Sequence, residues 1–266
     1  MRPDIPDKEH GELAQAVQLL ENPSLVARLT NLVGKPVERI LAALPAPLSG
    51  MVHKGTHVAL MRLLRISLRT MATGKRTQPY AASHKLAGCV SGALGGAFGL
   101  PALVLELPIS TIIMLRAIAD MARSEGHDIN TIDGQLACLE VFALGSRSAS
   151  DDGSETGYFA VRAAIAQAVS EAAKHIAEKG LTEQGAPIIV RLIAQLASRF
   201  GAVVSEKMAA QAVPVLGALG GATINLLFVD HFQNMARGHF IVKRLETIYG
   251  KETVQKAYQE IWRKGR

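Results

Sequence analysis

The sequence predicts a single-domain, all-α helical bundle, and three observations carry that reading. Apolar residues recur with helical rather than alternating periodicity through most of the 266-residue chain. Hydrophobic residues make up 48% of it and aromatic residues only 5%, so Ala, Leu, Ile and Val dominate, a composition suited to closely packed helices. The hexapeptide GALGGA occurs twice, at Gly92–Ala97 and Gly217–Ala222, each time inside a long apolar stretch. Around the first copy Gly88, Gly92 and Gly96 fall every fourth residue, a stripe that lets one helix backbone approach another. Gly217 and Gly221 repeat that spacing in the second copy. The expected core is therefore built on two glycine-rich apolar helical hairpins.

The elements follow in order. Residues 1–47 read as an N-terminal helical extension, in which Asn22-Pro23 has the form of an N-cap followed by proline and Gly34 reads as a stop. A short helix from near Pro36 is broken by Pro45 and Pro47. The main domain, 48–266, opens with a long helix from about Leu48 to Ala72, ended by Gly74. The first glycine stripe spans Ser83–Gly99, and Pro101 then opens a helix reaching Arg123. Inside it Pro108 predicts a restart or a kink, because proline removes an N–H and crowds the preceding turn. Thr131 is placed to cap a helix running to about Leu144. The polar run Gly145–Gly157 reads as a loop that divides the domain into halves. Tyr158–Lys179, Pro187–Phe200 and Val203–Val213 follow as helices. Pro214 introduces the second glycine segment, which runs on as one helix toward Tyr249, and Lys251–Trp262 closes the chain.

Charge points to an acidic partner surface. The net charge is +6 and unevenly spread, with an acidic first 22 residues and a basic stretch from Lys243 onward. Along the helix from Lys54, the residues Lys54, Arg62, Arg65 and Arg69 fall within a stripe of roughly 80° at 100° per residue. A narrow cationic edge on an otherwise apolar helix suits anionic lipid headgroups, where long arginine stems snorkel. Its plainer reading is the solvated edge of a core helix. Nucleic acid is not expected, since no aromatic residues interleave with the arginines as stacking platforms. Leu86–Leu105 and Ala212–Val229 are uncharged runs long enough to span a bilayer core of about 30 Å. Pro101 interrupts the first and Asp230-His231 ends the second, so buried hairpins in a globular core are the expectation and insertion the alternative. No export signal is evident at the N-terminus, which predicts a cytoplasmic protein, peripheral on the inner face of the membrane.

Candidates for chemistry are few. Glu106 lies in LVLELPIST between apolar neighbours, where an unpaired carboxylate is costly to bury. Arg116 and Asp120 follow it at the spacing of a helical ion pair, and Arg123 extends the set. In FVDHFQNMARGHF, Asp230, His231 and His239 are candidates for a hydrolase-like site with Glu106, metal-assisted or not. His231 and His239 are too far apart along one helix to hold the same metal, and no HExxH or Glu-x-x-His pair is present. His53 and His57 have chelating spacing but no evident third ligand. Cys89 and Cys138, the two cysteines, lie in apolar context and read as buried thiols. No metal and no cofactor is expected: the glycines of GALGG follow no strand, and no phosphate-binding or nucleophile motif occurs.

Three stretches carry a resemblance. ELPISTIIMLRAIADMARSEG from Glu106, LACLEVFALG from Leu136 and VPVLGALGGATINLLFVDHFQNMARGHFIVKRLETIYG from Val213 resemble the EcsC family of bacterial proteins, over roughly Val52 to the C-terminus. The resemblance implies a cytoplasmic helical protein linked to membrane processes, because founding members are encoded beside an ABC transporter and linked to secretion. It supplies no catalytic residues. The leading expectation is thus a non-enzymatic accessory protein that binds anionic membrane lipid or an amphipathic ligand, with a membrane transporter as a further partner. The rivals are the hydrolase-like enzyme and an integral membrane protein.

Overall fold

A computed structural model describes residues 5–21, 25–34, 39, 42, 46–70, 100–145, 157–180, 186–211 and 217–265. Among them are nine α-helices and no strand. They are α1 (Asp7–Glu21), α2 (Leu25–Val33), α3 (Ala46–Thr70), α4 (Leu100–Ser124), α5 (Ile132–Leu144), α6 (Gly157–Lys179), α7 (Pro187–Gln211), α8 (Gly217–Tyr249) and α9 (Lys251–Lys264). The all-α bundle is as the periodicity predicts. The first glycine stripe, with Gly88, Gly92 and Gly96, and the segment from Pro36 to Pro45 lie largely or wholly outside the described residues. Gly217 and Gly221 belong to the first turns of α8, where Gly221 is buried.

The 33-residue helix α8 is the axis of the molecule and packs against α1, α2, α4, α5, α7 and α9. On one flank α3 rests on α7 and α4; on another α6 rests on α5 and α7. Where α5, α7 and α8 meet, Phe142, Phe200, Phe228 and Phe232 interlock through edge-to-face and tilted ring contacts. All four are fully buried, each stabilising the bundle by about 1.5–3 kcal/mol through area removed from water.

Local chemistry explains several ends. Thr131 sits in extended backbone and its Oγ1 accepts from the Gly134 N–H at 3.1 Å, the expected N-cap of α5. Gly34, at φ +67°, stops α2 in the left-handed conformation that glycine adopts without strain. Two expectations are corrected. Pro108 does not restart a helix: α4 runs through it, carried by the burial of Met114, Leu115, Ile118 and Ala122 further along. Pro187–Phe200 and Val203–Val213 are not two helices. Gly201 is buried inside one continuous α7, facing Thr56 of α3, because the burial of Leu196, Phe200, Val203 and Val204 on either side outweighs glycine's local preference for a break.

A close approach of two helices occurs at Gly238, outside both glycine segments. A Cβ on Gly238 would lie 2.6 Å from Leu20 Cγ and 3.2 Å from the Ala16 carbonyl oxygen. Gly238 is where α1 closes on α8. Ion pairs fasten further segments to α8: Arg244 reaches Glu12 of α1 at 2.7 Å and Glu125, just past α4, at 3.3 Å, and Arg28 of α2 reaches Asp230 at 2.8 Å. The acidic beginning and basic end of the chain meet here.

Candidate functional site

Among the described residues, a row of polar side chains lies between α5, α6 and α8, with α1 and α9 closing it. Spacing positions them. On α8, His239, Lys243 and Glu246 fall at i, i+4 and i+7 and so share one face; on α6, Tyr158 and Arg162 fall at i and i+4. Arg162 grips Glu246 with both guanidinium nitrogens, at 2.8 and 2.9 Å, and its Nη1 also donates to the Tyr158 hydroxyl at 3.2 Å. Tyr158 Oη lies 3.0 Å from His239 Nδ1, and His239 Nε2 lies 3.5 Å from Glu140 Oε2, which in turn is 3.9 Å from Lys243 Nζ. The Glu21 carboxylate accepts from the Tyr258 hydroxyl at 3.0 Å and from the Tyr158 backbone N–H at 3.3 Å.

Donor logic fixes the protons. Arginine can only donate, so the Tyr158 hydroxyl accepts from Arg162 and turns its own hydrogen toward His239 Nδ1. His239 then carries its proton on Nε2, facing the Glu140 carboxylate. That last contact is too long for a good hydrogen bond, and Nε2 has no hydrogen-bond partner.

The chemistry of this row is restrained rather than reactive. Burial, and then the cations Lys243 and Arg162 together with His127, hold His239 well below the ordinary histidine pKa, so it is neutral. Burial pushes the Tyr158 phenol above its usual range, away from phenolate, although Arg162 pulls the other way. Burial works against the Arg162 cation too, yet Tyr158 and Glu246 hold its proton more firmly than usual. Two residues before Glu140, the Cys138 thiol is fully buried and pushed up to about 12, which removes it as a nucleophile. Cations and carboxylates alternate around a neutral His–Tyr pair, which locks five helices in register.

The sequence candidates are dispersed. Asp230 is taken by Arg28, with Asn234 Nδ2 at 3.4 Å as a further donor. His231 Nε2 donates to the Gly145 carbonyl at 2.9 Å, satisfying one of the free carbonyls at the end of α5. Of the candidates whose side chains are described, only His239 enters the buried row. Glu106 lies on α4, but its side chain is outside the described residues. On α4, Asp120 pairs with Arg123 at 2.8 Å, while Arg116 is exposed to solvent. Among the described residues no three His, Cys, Asp or Glu side chains gather as metal ligands.

Sequence reasoning missed Glu140, Tyr158, Arg162 and Glu246. The signal for Glu140 was present: a lone carboxylate in ACLEVFAL is the same anomaly that singled out Glu106.

Among the described residues of α3, those exposed are Gly50, Lys54, Val58 (47% exposed) and Arg62, at successive intervals of four. Leu60, Leu63 and Leu64 beside them are buried. Arg65 and Arg69 continue the helix, with side chains outside the described residues. Among the described residues, α7 alone is long and apolar enough to cross a membrane. Its Leu192, Ile193, Leu196 and Phe200 are buried, and it carries Lys207, also buried, with the ammonium 5.0 Å from the Phe228 ring centre.

The sequence pattern of the EcsC protein family matches residues 8–245. The chain belongs to the EcsC protein family. The match begins within α1 and reaches Leu245 near the end of α8, so this EcsC-family chain carries the family pattern from well before Val52 but not to the C-terminus, unlike the span from Val52 onward that the resemblance suggests. The α1–α8 contact at Gly238 lies in it, as do His239, Tyr158, Arg162 and Glu140. Comparison with curated proteins and with solved structures finds no match for the chain.

Proposed function

We propose that this EcsC-family protein is a non-enzymatic accessory protein that associates peripherally with anionic membrane, on the cytoplasmic face, beside a membrane transporter. The observation that carries the reading is the outward stripe Lys54–Val58–Arg62 on α3. Two cations flank an exposed valine on a helix that buries Leu60, Leu63 and Leu64, a pattern suited to headgroups at an acyl boundary. The spacing of Arg65 and Arg69 extends the same edge. The dispersal of Asp230, His231 and His239 among internal partners supports this reading over the hydrolase-like one. In this proposal the glycine segments around Gly88, Gly92 and Gly96 and around Gly217 and Gly221 form close-packed hairpins that supply an apolar groove for an amphipathic ligand.

Co-sedimentation with vesicles tests the proposal. The protein pellets with vesicles containing phosphatidylglycerol and stays in solution with phosphatidylcholine alone. Each basic residue near an anionic surface contributes about 1 kcal/mol. The double variant Lys54→Glu/Arg62→Glu therefore binds the anionic vesicles at least about 30-fold more weakly. Binding indifferent to lipid charge and to this double variant sinks the proposal.

A further inference from the structure

We infer that α4 supplies the apolar half of the docking surface: Ile109, Ile112 and Ile113, edged by Arg116, enter the acyl border of an anionic bilayer. The inference rests on the membrane reading above and names how that site engages lipid. Ile109 is 56% exposed, Ile112 and Ile113 are partly exposed, and Arg116 is exposed. At i, i+3, i+4 and i+7 the four share a single face within roughly 100° of helix circumference. The opposite face of the same segment, with Ser110, Thr111, Met114 and Leu115, is buried. A soluble helix normally turns polar residues outward over such a stretch, and this one turns out isoleucine.

Two further facts commit the face to lipid. The helices α3 and α4 pack against each other, and both pack on α5 and α7. On this inference the Ile109 face and the Lys54–Val58–Arg62 stripe of these two neighbouring helices act as one docking surface, in which the exposed Val58 and Ile109 and the exposed cations Lys54, Arg62 and Arg116 all meet the bilayer. Cations rimming aliphatic side chains complement an anionic headgroup layer above acyl chains. An acidic polypeptide would be drawn by the cations but would leave the isoleucines without a matching apolar phase.

The test uses Ile109→Trp in a Trp262→Phe background, which removes the protein's one native tryptophan, with circular dichroism confirming the helical fold. With phosphatidylglycerol vesicles, emission of the Ile109→Trp protein shifts to the blue and is quenched by lipids brominated along the acyl chain. The control Ile248→Trp, at a position 57% exposed near the end of α8, does neither. In the otherwise native chain Ile109→Ser weakens vesicle binding about tenfold while anionic-lipid dependence persists. Unshifted, unquenched emission from an Ile109→Trp protein that still pellets with anionic vesicles overturns the α4 inference and spares the membrane reading. Failure of the unmodified protein to pellet with any vesicle overturns both, as does capture by an acidic polypeptide without vesicle binding.

Discussion

His239 is fully buried, with one nitrogen satisfied by Tyr158 and the other facing a carboxylate it does not reach well. Its folded-state pKa lies well below the ordinary value of 6.5 that it regains on unfolding. The unfolded chain therefore binds a proton that the folded protein refuses. Stability from this neutral imidazole is present above pH 6.5 and declines as pH falls below it. The slope approaches about 1.4 kcal/mol per pH unit for one such group. His127, whose pKa burial also lowers and whose Nε2 lies 2.9 Å from the Phe240 carbonyl, adds a slope of the same sign. Urea unfolding followed from neutral to mildly acidic pH checks this. The wild type loses stability on acidification, and His239→Gln, which keeps an acceptor for Tyr158, loses it more gradually. Equal slopes in the two proteins would mean that His239 is not the buried neutral group described.

Helix by helix, what was legible followed from local signals and what was not depended on neighbours. Thr131 announced the start of α5 and Gly34 the end of α2, because caps and left-handed turns are satisfied within a few residues. Pro108 and Gly201 misled, since both lie in helices held by contacts distant in sequence. Gly238 illustrates the same limit from the other side. Nothing adjacent marks it as a contact point, yet Leu20 and Ala16 of α1 leave no room there for a methyl group. Gly238→Ala should thus destabilise the protein by about 1–2 kcal/mol, overpacking outweighing the roughly 1 kcal/mol that alanine gains in a helix. Gly11, within α1, has open space where a methyl group would sit, and it gives the opposite result: Gly11→Ala stabilises by about 0.5–1 kcal/mol. Thermal unfolding of the two variants separates these effects; a stabilised Gly238→Ala would contradict the close approach of α1 to α8.

Across the whole molecule, internal and external charges divide the labour. Inside, Glu140, Arg162 and Glu246 tie α5, α6 and α8 together around His239 and Tyr158, and Arg244 and Arg28 fasten α1 and α2 onto α8. Outside, Lys54, Arg62 and Arg116 remain exposed on neighbouring helices that also expose Val58 and Ile109. That Lys54 and Arg62 share one edge of α3 follows from spacing alone, because it is a property of a single helix. The buried row was not, because its members come from five helices spread between Glu21 and Tyr258. Fractionation of cells expressing the full chain tests the resulting account most directly. The protein should pellet with membranes and be released by high salt without detergent, and Lys54→Glu/Arg62→Glu should move it to the supernatant at low salt. Wild-type protein that stays in the supernatant, or that leaves membranes only in detergent, would contradict the account.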